Sequence, residues 1–119
     1  MKDFRQLKVV HKAHSLTVDL YRATASFPRE EIYGLTSQIR RGSSSIPANL
    51  AEACGRNGIA EFAHFCSIAM GSASELEYHL WLARDLQLIT PAQYEVLNER
   101  TVEVKRMLTG LHKKLIADR

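Results

Sequence analysis

Six polar side chains, Gln38, Arg41, Ser45, Asn49, Glu52 and Arg56, follow one another at steps of three or four residues within QIRRGSSSIPANLAEACGR. On a helix such steps place them on one face. That face would hold two guanidiniums, a carboxylate, two amides and a hydroxyl, a set able to take a polar or anionic ligand. The same groups could instead brace the helix against a neighbouring helix or subunit. An amide at Asn49, which also falls on the apolar stripe, is costly to bury unless hydrogen-bonded and can fix register. Both uses stay open on the residues alone. Phosphate contact is the second chemistry on offer, from Arg40, Arg41 and Arg56, with Arg29 and Lys8 as further cations.

Other reactive groupings are incomplete. Glu61 and His64 in EFAH make one Glu-x-x-His pair, the unit that di-iron bundles use twice, and no second pair exists. Glu75 and His79 have the wrong spacing, and His11 with His14 suits a surface face. Ser43, Ser44 and Ser45 lack the glycine-framed elbow of a serine nucleophile, so their expected task is local. Their hydroxyls would bond carbonyls that Pro47 leaves without an amide partner. Gly55 and Gly58 have neither Walker nor dinucleotide spacing around them. The expectation is a non-enzymatic chain with no catalytic residue, no metal and no cofactor.

Composition narrows the setting. The chain has 119 residues, a single domain over 1–119 on length, and 45% hydrophobic against 24% charged residues. Net charge is +3, unevenly spread. Residues 1–56 hold nine Lys/Arg against five Asp/Glu, and residues 57–119 hold seven against eight. That imbalance is compatible with a polyanionic partner and too mild to establish one. No signal peptide or 18-residue apolar run is visible, and Cys54 and Cys66 read as reduced thiols. A cytoplasmic protein with no membrane partner is expected.

Four elements must position these groups. Apolar spacing is helical throughout. The first stripe runs Val9, Ala13, Leu16, Leu20, Ala23, behind a capping box of Asp3 and Gln6. Pro28 opens the second helix, whose stripe Ile32, Leu35, Ile39, Gly42, Ile46, Asn49, Ala53 crosses Pro47 without losing step. That predicts a helix continuing through the proline with a kink. Asn57 can cap the third helix, with stripe Phe62, Cys66, Ala69, Ala73, Leu76, Leu80, Ala83 and a run of small residues in AMGSAS. Thr90, Pro91 and Gln93 open the fourth, with stripe Tyr94, Leu97, Thr101, Val104, Leu108, Leu111, Leu115. The expected fold is all-α: an up-and-down antiparallel four-helix bundle with helices near 4–25, 28–55, 58–87 and 91–116. Apolar arcs on helices one and three wider than one seam point to a homo-oligomer.

The stretches FPREEIYGLTSQIRRGSSSIPANLAEACGR and EFAHFCSIAMGSASELEYHL together resemble the bacterial four-helix-bundle proteins encoded in 23S rRNA intervening sequences. Phe27-Pro28, Gln38, Arg41, Ser45-Ile46, Asn49, Ala51-Glu52, Gly55-Arg56, Ala69, Gly71-Ser72 and Glu75 make the match, which spans nearly the whole chain. The family usually reads Asn-Ile-Ala-Glu-Gly where this chain has Leu50 for the isoleucine and Ala53 for the glycine. The resemblance implies a ring-like homopentamer. It also implies kinship with the accessory bundle of diversity-generating retroelements, which binds nucleic acid and a reverse transcriptase. RNA or a nucleoprotein is therefore the expected partner, with a protein–protein scaffold lacking nucleic-acid affinity as the alternative.

Overall fold

The computed structural model describes residues 3–118, which form four long antiparallel helices and no strand. They are α1 (Lys8–Thr24), α2 (Leu35–Gly55), α3 (Ile59–Asp85) and α4 (Pro91–Ala117), in a rod of 45 × 22 × 19 Å. α1 packs between α2 and α4, and α3 packs between α2 and α4 on the other side. The core runs along the axis through Leu16, Leu20, Ile39, Ile46, Leu50, Leu76, Leu80, Val104 and Leu108, all essentially inaccessible to solvent. Ala69, Ala73 and Ala83, equally buried, leave room for the facing helices. Ala53 is fully buried too, so the methyl that replaces the family's usual glycine is accommodated in the packed interior.

Helix ends depart from the expected positions for identifiable reasons. Asp3 caps only a single 3-10 turn, Phe4–Gln6, by accepting from the Arg5 amide at 2.9 Å. Leu7 is then extended, and α1 starts at Lys8. Phe4 and Leu7 both pack against the core from this turn. Pro28 likewise opens one 3-10 turn, Arg29–Glu31, rather than the long second helix. Ile32, placed on the stripe by its spacing, is 52% exposed, and Tyr33 is 95% exposed. The chain turns at Gly34, and the Glu31 carboxylate accepts from the Leu35 amide at 3.1 Å, supplying the cap for α2. A Cβ at Gly34 would sit 3.0 Å from that carboxylate, so glycine keeps the cap in place. α3 is preceded by Gly58 at φ 92°, not capped by Asn57. Only a glycine takes that left-handed turn without strain. α4 opens as expected: Thr90 accepts from the Gln93 amide at 3.0 Å, and the Gln93 side chain accepts from the Thr90 amide at 2.8 Å.

α2 runs unbroken through Pro47. Proline has no N–H, so the carbonyl four residues back, on Ser43, loses its helical partner. The serines do not supply the replacement. Ser43 Oγ donates to the Arg40 carbonyl at 3.2 Å and Ser44 Oγ to the Arg41 carbonyl at 3.3 Å, both one turn earlier. The replacement comes from α1, where the buried Thr17 hydroxyl donates to the Ser43 carbonyl at 3.0 Å and shares its proton with Ala13 O at 2.8 Å. A threonine 26 residues away thus completes the backbone at the proline.

Candidate functional site

The six-residue polar face of α2 lies along α3. Ser45 and Ser72 touch through their hydroxyls at 2.9 Å, a separation that the small residues of α3 permit. Asn49 Nδ2 donates to the Ser45 carbonyl at 2.8 Å and to Ser45 Oγ at 2.9 Å. That leaves the Ser45 proton for Ser72, so the chain of bonds runs from Asn49 through Ser45 to Ser72. Asn49 is half-buried, and its place in the core is taken by Leu50, which is completely buried. The amide therefore sits at the edge of the helix pair, bonded within α2, and the bond that crosses to α3 is Ser45–Ser72.

Above this seam a cleft of about 380 Å³ opens between Gln38, Arg41, Gly42 and Ser45 on α2 and Ser72 and Glu75 on α3. Arg41 and Glu75 are exposed on its opposite walls. Neither side chain has a hydrogen-bond or ion-pair partner among the described residues. Ile68 (39% exposed) and Tyr78 (52% exposed) share a row of α3 with Gly71 and Glu75 at helical spacing, so apolar surface is exposed one turn from Ser72 and from Glu75. His79, one turn beyond Glu75, keeps its Nδ1 buried without a partner. Glu52 and Arg56 close the other end of the face as an ion pair at 3.1 Å, with the Arg56 guanidinium over the Phe65 ring. Gly55, the last residue of α2, lies exposed beside them.

The five candidate cations fall in different places. Arg40 turns away from α3 toward α1: its Nε donates to Thr24 Oγ1 at 2.9 Å, its Nη2 to the Tyr21 carbonyl at 3.1 Å, and its guanidinium lies over the Tyr21 ring. It ties the start of α2 to the end of α1. Arg41 stands on the open cleft. Arg29 is exposed on the 3-10 turn between α1 and α2, at the same end as Arg40. Lys8 begins α1 and Arg56 follows α2, at the opposite end, about 30 Å away along a 21-residue helix. These residues do not form one patch.

Among the described residues no three His, Cys, Asp or Glu side chains gather as metal ligands. Glu61 and His64 lie on the exposed start of α3. Among the same residues no helix is long and apolar enough to cross a membrane. Cys66 is buried, its Sγ 3.6 Å from the Leu108 carbonyl, and burial pushes its thiol up to about 11, away from the reactive thiolate.

A solved structure from Bacteroides thetaiotaomicron, a protein of unknown function from the S23 ribosomal protein family, is similar in sequence and fold. It shares 29% identity, covers 88% of this chain and 95% of its own, and superimposes with a TM-score of 0.81. No curated protein matches the chain. The family model described as 23S rRNA-intervening sequence protein matches residues 5–110, which include the whole α2–α3 seam. On that match, the chain belongs to the 23S rRNA-intervening sequence protein family.

Proposed function

We propose that the chain is a non-enzymatic building block that assembles through its α2–α3 face into a homo-oligomeric ring and, assembled, holds RNA or a nucleoprotein. One observation supports the assembly above all: Arg41 and Glu75 stand exposed and unpaired on opposite walls of a cleft, with Ile68 and Tyr78 exposed on the same row of α3 as Glu75. A cleft with one charge of each sign and apolar surface on the same row suits a protein surface of complementary charge better than a polyanion. The occupant is a second copy of this chain. The nucleoprotein part is supported by the net charge of +3 and by the ribosomal family of the similar structure.

Symmetry makes the assembly testable. If two copies met with the same face, Arg41 of each would reach Glu75 of the other and the product would be a closed dimer. A ring of five needs the face to meet a different surface of the next copy. Light scattering behind a sizing column should give a mass near five times the 13.5 kDa of one chain. Arg41→Glu and Glu75→Arg should each lower it. Combining them restores a face-to-face dimer but not a ring, so continued loss in the double variant is the expected result. A wild-type monomer at micromolar concentration ends the assembly reading. Assembled protein that fails to bind structured RNA at low salt leaves the scaffold reading in its place.

A further inference from the structure

Charge averaged over each half of the chain conceals where it gathers. From Phe4 to Val18 there is no acidic residue, while Arg5, Lys8 and Lys12 are basic. From Val104 to Ala117 there is again none, while Lys105, Arg106, Lys113 and Lys114 are basic. Separated by nearly the whole sequence, the two stretches meet in the fold. α1 and α4 pack antiparallel, and the Lys12–Glu103 pair at 3.3 Å with Arg100–Asp19 at 2.7 Å fixes their register. The start of α1 therefore lies beside the end of α4. Lys8, Lys12 and Lys114 are exposed there, and Arg106 and Lys113 are exposed farther round the same end of α4, where Arg106 lines a groove with Glu77 of α3; only Lys12 of these five is ion-paired among the described residues. His11 and His112 stand among them. Toward the other end the same two helices bring Asp19, Glu95 and Glu99, with Arg22 and Arg100 both paired to Asp19. The α1–α4 face is thus polarised along its length.

We propose that this basic end of the bundle, formed by the start of α1 and the end of α4, is where the protein holds the phosphate backbone of RNA; the proposal rests on the nucleic-acid part of the function above. Duplex nucleic acid presents one negative charge per about 1.7 Å of axis, a density that unpaired lysines spread over one end of two helices can follow. An anionic membrane is a poorer match, because lipid-surface helices bury a whole stripe of large apolar side chains, whereas across Lys8–Val18 and Val104–Ala117 Ile116 is the one large apolar side chain exposed among the described residues. The site also leaves the α2–α3 face free for assembly, and a ring would repeat the basic end once per copy.

The test is titration of a fluorescent RNA hairpin over a salt series, with assembly mass measured in parallel. The patch variant combines Lys8→Gln, Arg106→Gln, Lys113→Gln and Lys114→Gln. Each is exposed, so the fold should survive, which circular dichroism checks. A control variant combines Arg22→Gln and Arg29→Gln, two exposed cations outside both the patch and the assembly face. The patch variant should lose on the order of a hundredfold in affinity and flatten the log–log salt slope by up to about 3.6, at roughly 0.9 for each of four phosphates no longer neutralised, while the control keeps most of both. A patch variant that binds like the wild type, or a control that loses as much, overturns the site while leaving RNA binding in place. A wild type that binds no RNA at low salt, or binds only phosphatidylserine vesicles, overturns the nucleic-acid reading and the site together.

Discussion

Removing one methyl-sized hydroxyl from α1 should reveal how α2 survives Pro47. Thr17→Val keeps the β-branched shape and deletes the donor that reaches the Ser43 carbonyl at 3.0 Å. Ser43 is 1% exposed and Thr17 8%, so water cannot readily take over. An orphaned buried carbonyl costs about 1–3 kcal/mol, and the added methyl returns about 0.8, leaving a net loss of about 1–2 kcal/mol. Pro47→Ala changes the balance. It supplies an amide to the same carbonyl and removes a ring that costs about 3 kcal/mol inside a helix, against about 1 kcal/mol of lost unfolded-state restriction. In that background Thr17→Val gives up only the bond to Ala13 O, already served by the helix itself, and should cost a few tenths of a kcal/mol. The cycle thus predicts a coupling energy of about 1 kcal/mol. Urea unfolding followed by circular dichroism resolves this, since such a difference moves the midpoint by about half a molar unit or more. All four proteins must be compared at one concentration, because assembly adds to apparent stability. If the two substitutions are additive within about 0.3 kcal/mol, Thr17 does not complete the backbone at Pro47 and the explanation for the unbroken helix fails.

Two further outcomes concern groups that look functional in sequence. Cys66 favours its neutral form in the fold, so as pH rises past 9 the unfolded chain sheds that proton first, and stability should fall by roughly 2–3 kcal/mol between pH 9 and about 11. Denaturation at pH 8 and pH 10.5 should show a shallower fall in Cys66→Ala, and equal slopes would refute the assignment. Arg40→Met should loosen α1 from α2 by about 1–2 kcal/mol through loss of its bonds to Thr24 and Tyr21, with the RNA salt slope unchanged. A flatter slope in a stable Arg40→Met protein would return Arg40 to the binding surface.

The bundle itself was legible because four stripes at helical spacing leave little else for the chain to be, and the Thr90 capping box is a local signal complete within four residues. The breaks at Leu7 and Gly34 were not. Each depends on what packs beneath it, and Phe4, Leu7 and Glu31 find their partners only in the folded chain. Asn49 and Leu50 show the limit of a stripe read one residue at a time. Neighbouring positions on a helix differ by 100°, and a step of three from Ile46 fits as well as a step of four, yet only Leu50 enters the core. The polar face was readable as a face, but not its occupant. The basic end of α1 and α4 is hidden in the sequence because acidic residues at 57–103 cancel the count for that half, and the meeting of the two ends of the chain is invisible to any window along it.

The two flanks of α2 now answer differently for their polar chemistry. On the α1 side every group has an intramolecular use: Thr17 serves the carbonyl freed by Pro47, Arg40 holds Thr24 and Tyr21, and Ser43 returns to its own helix. Changes there should register as stability. On the α3 side the chain of bonds from Asn49 through Ser45 ends at Ser72, beside Arg41 and Glu75, which have no partner among the described residues. Exposed, uncompensated charges contribute little to a lone bundle, because water screens them and their side chains keep their freedom. Arg41→Gln should therefore leave the unfolding of dilute, unassembled protein within about 0.5 kcal/mol of wild type while lowering the assembled mass. A variant that loses stability without losing mass would place Arg41 among the braces, alongside Arg40, and would move the search for the assembly surface to the exposed Val96 and Ile116 of α4.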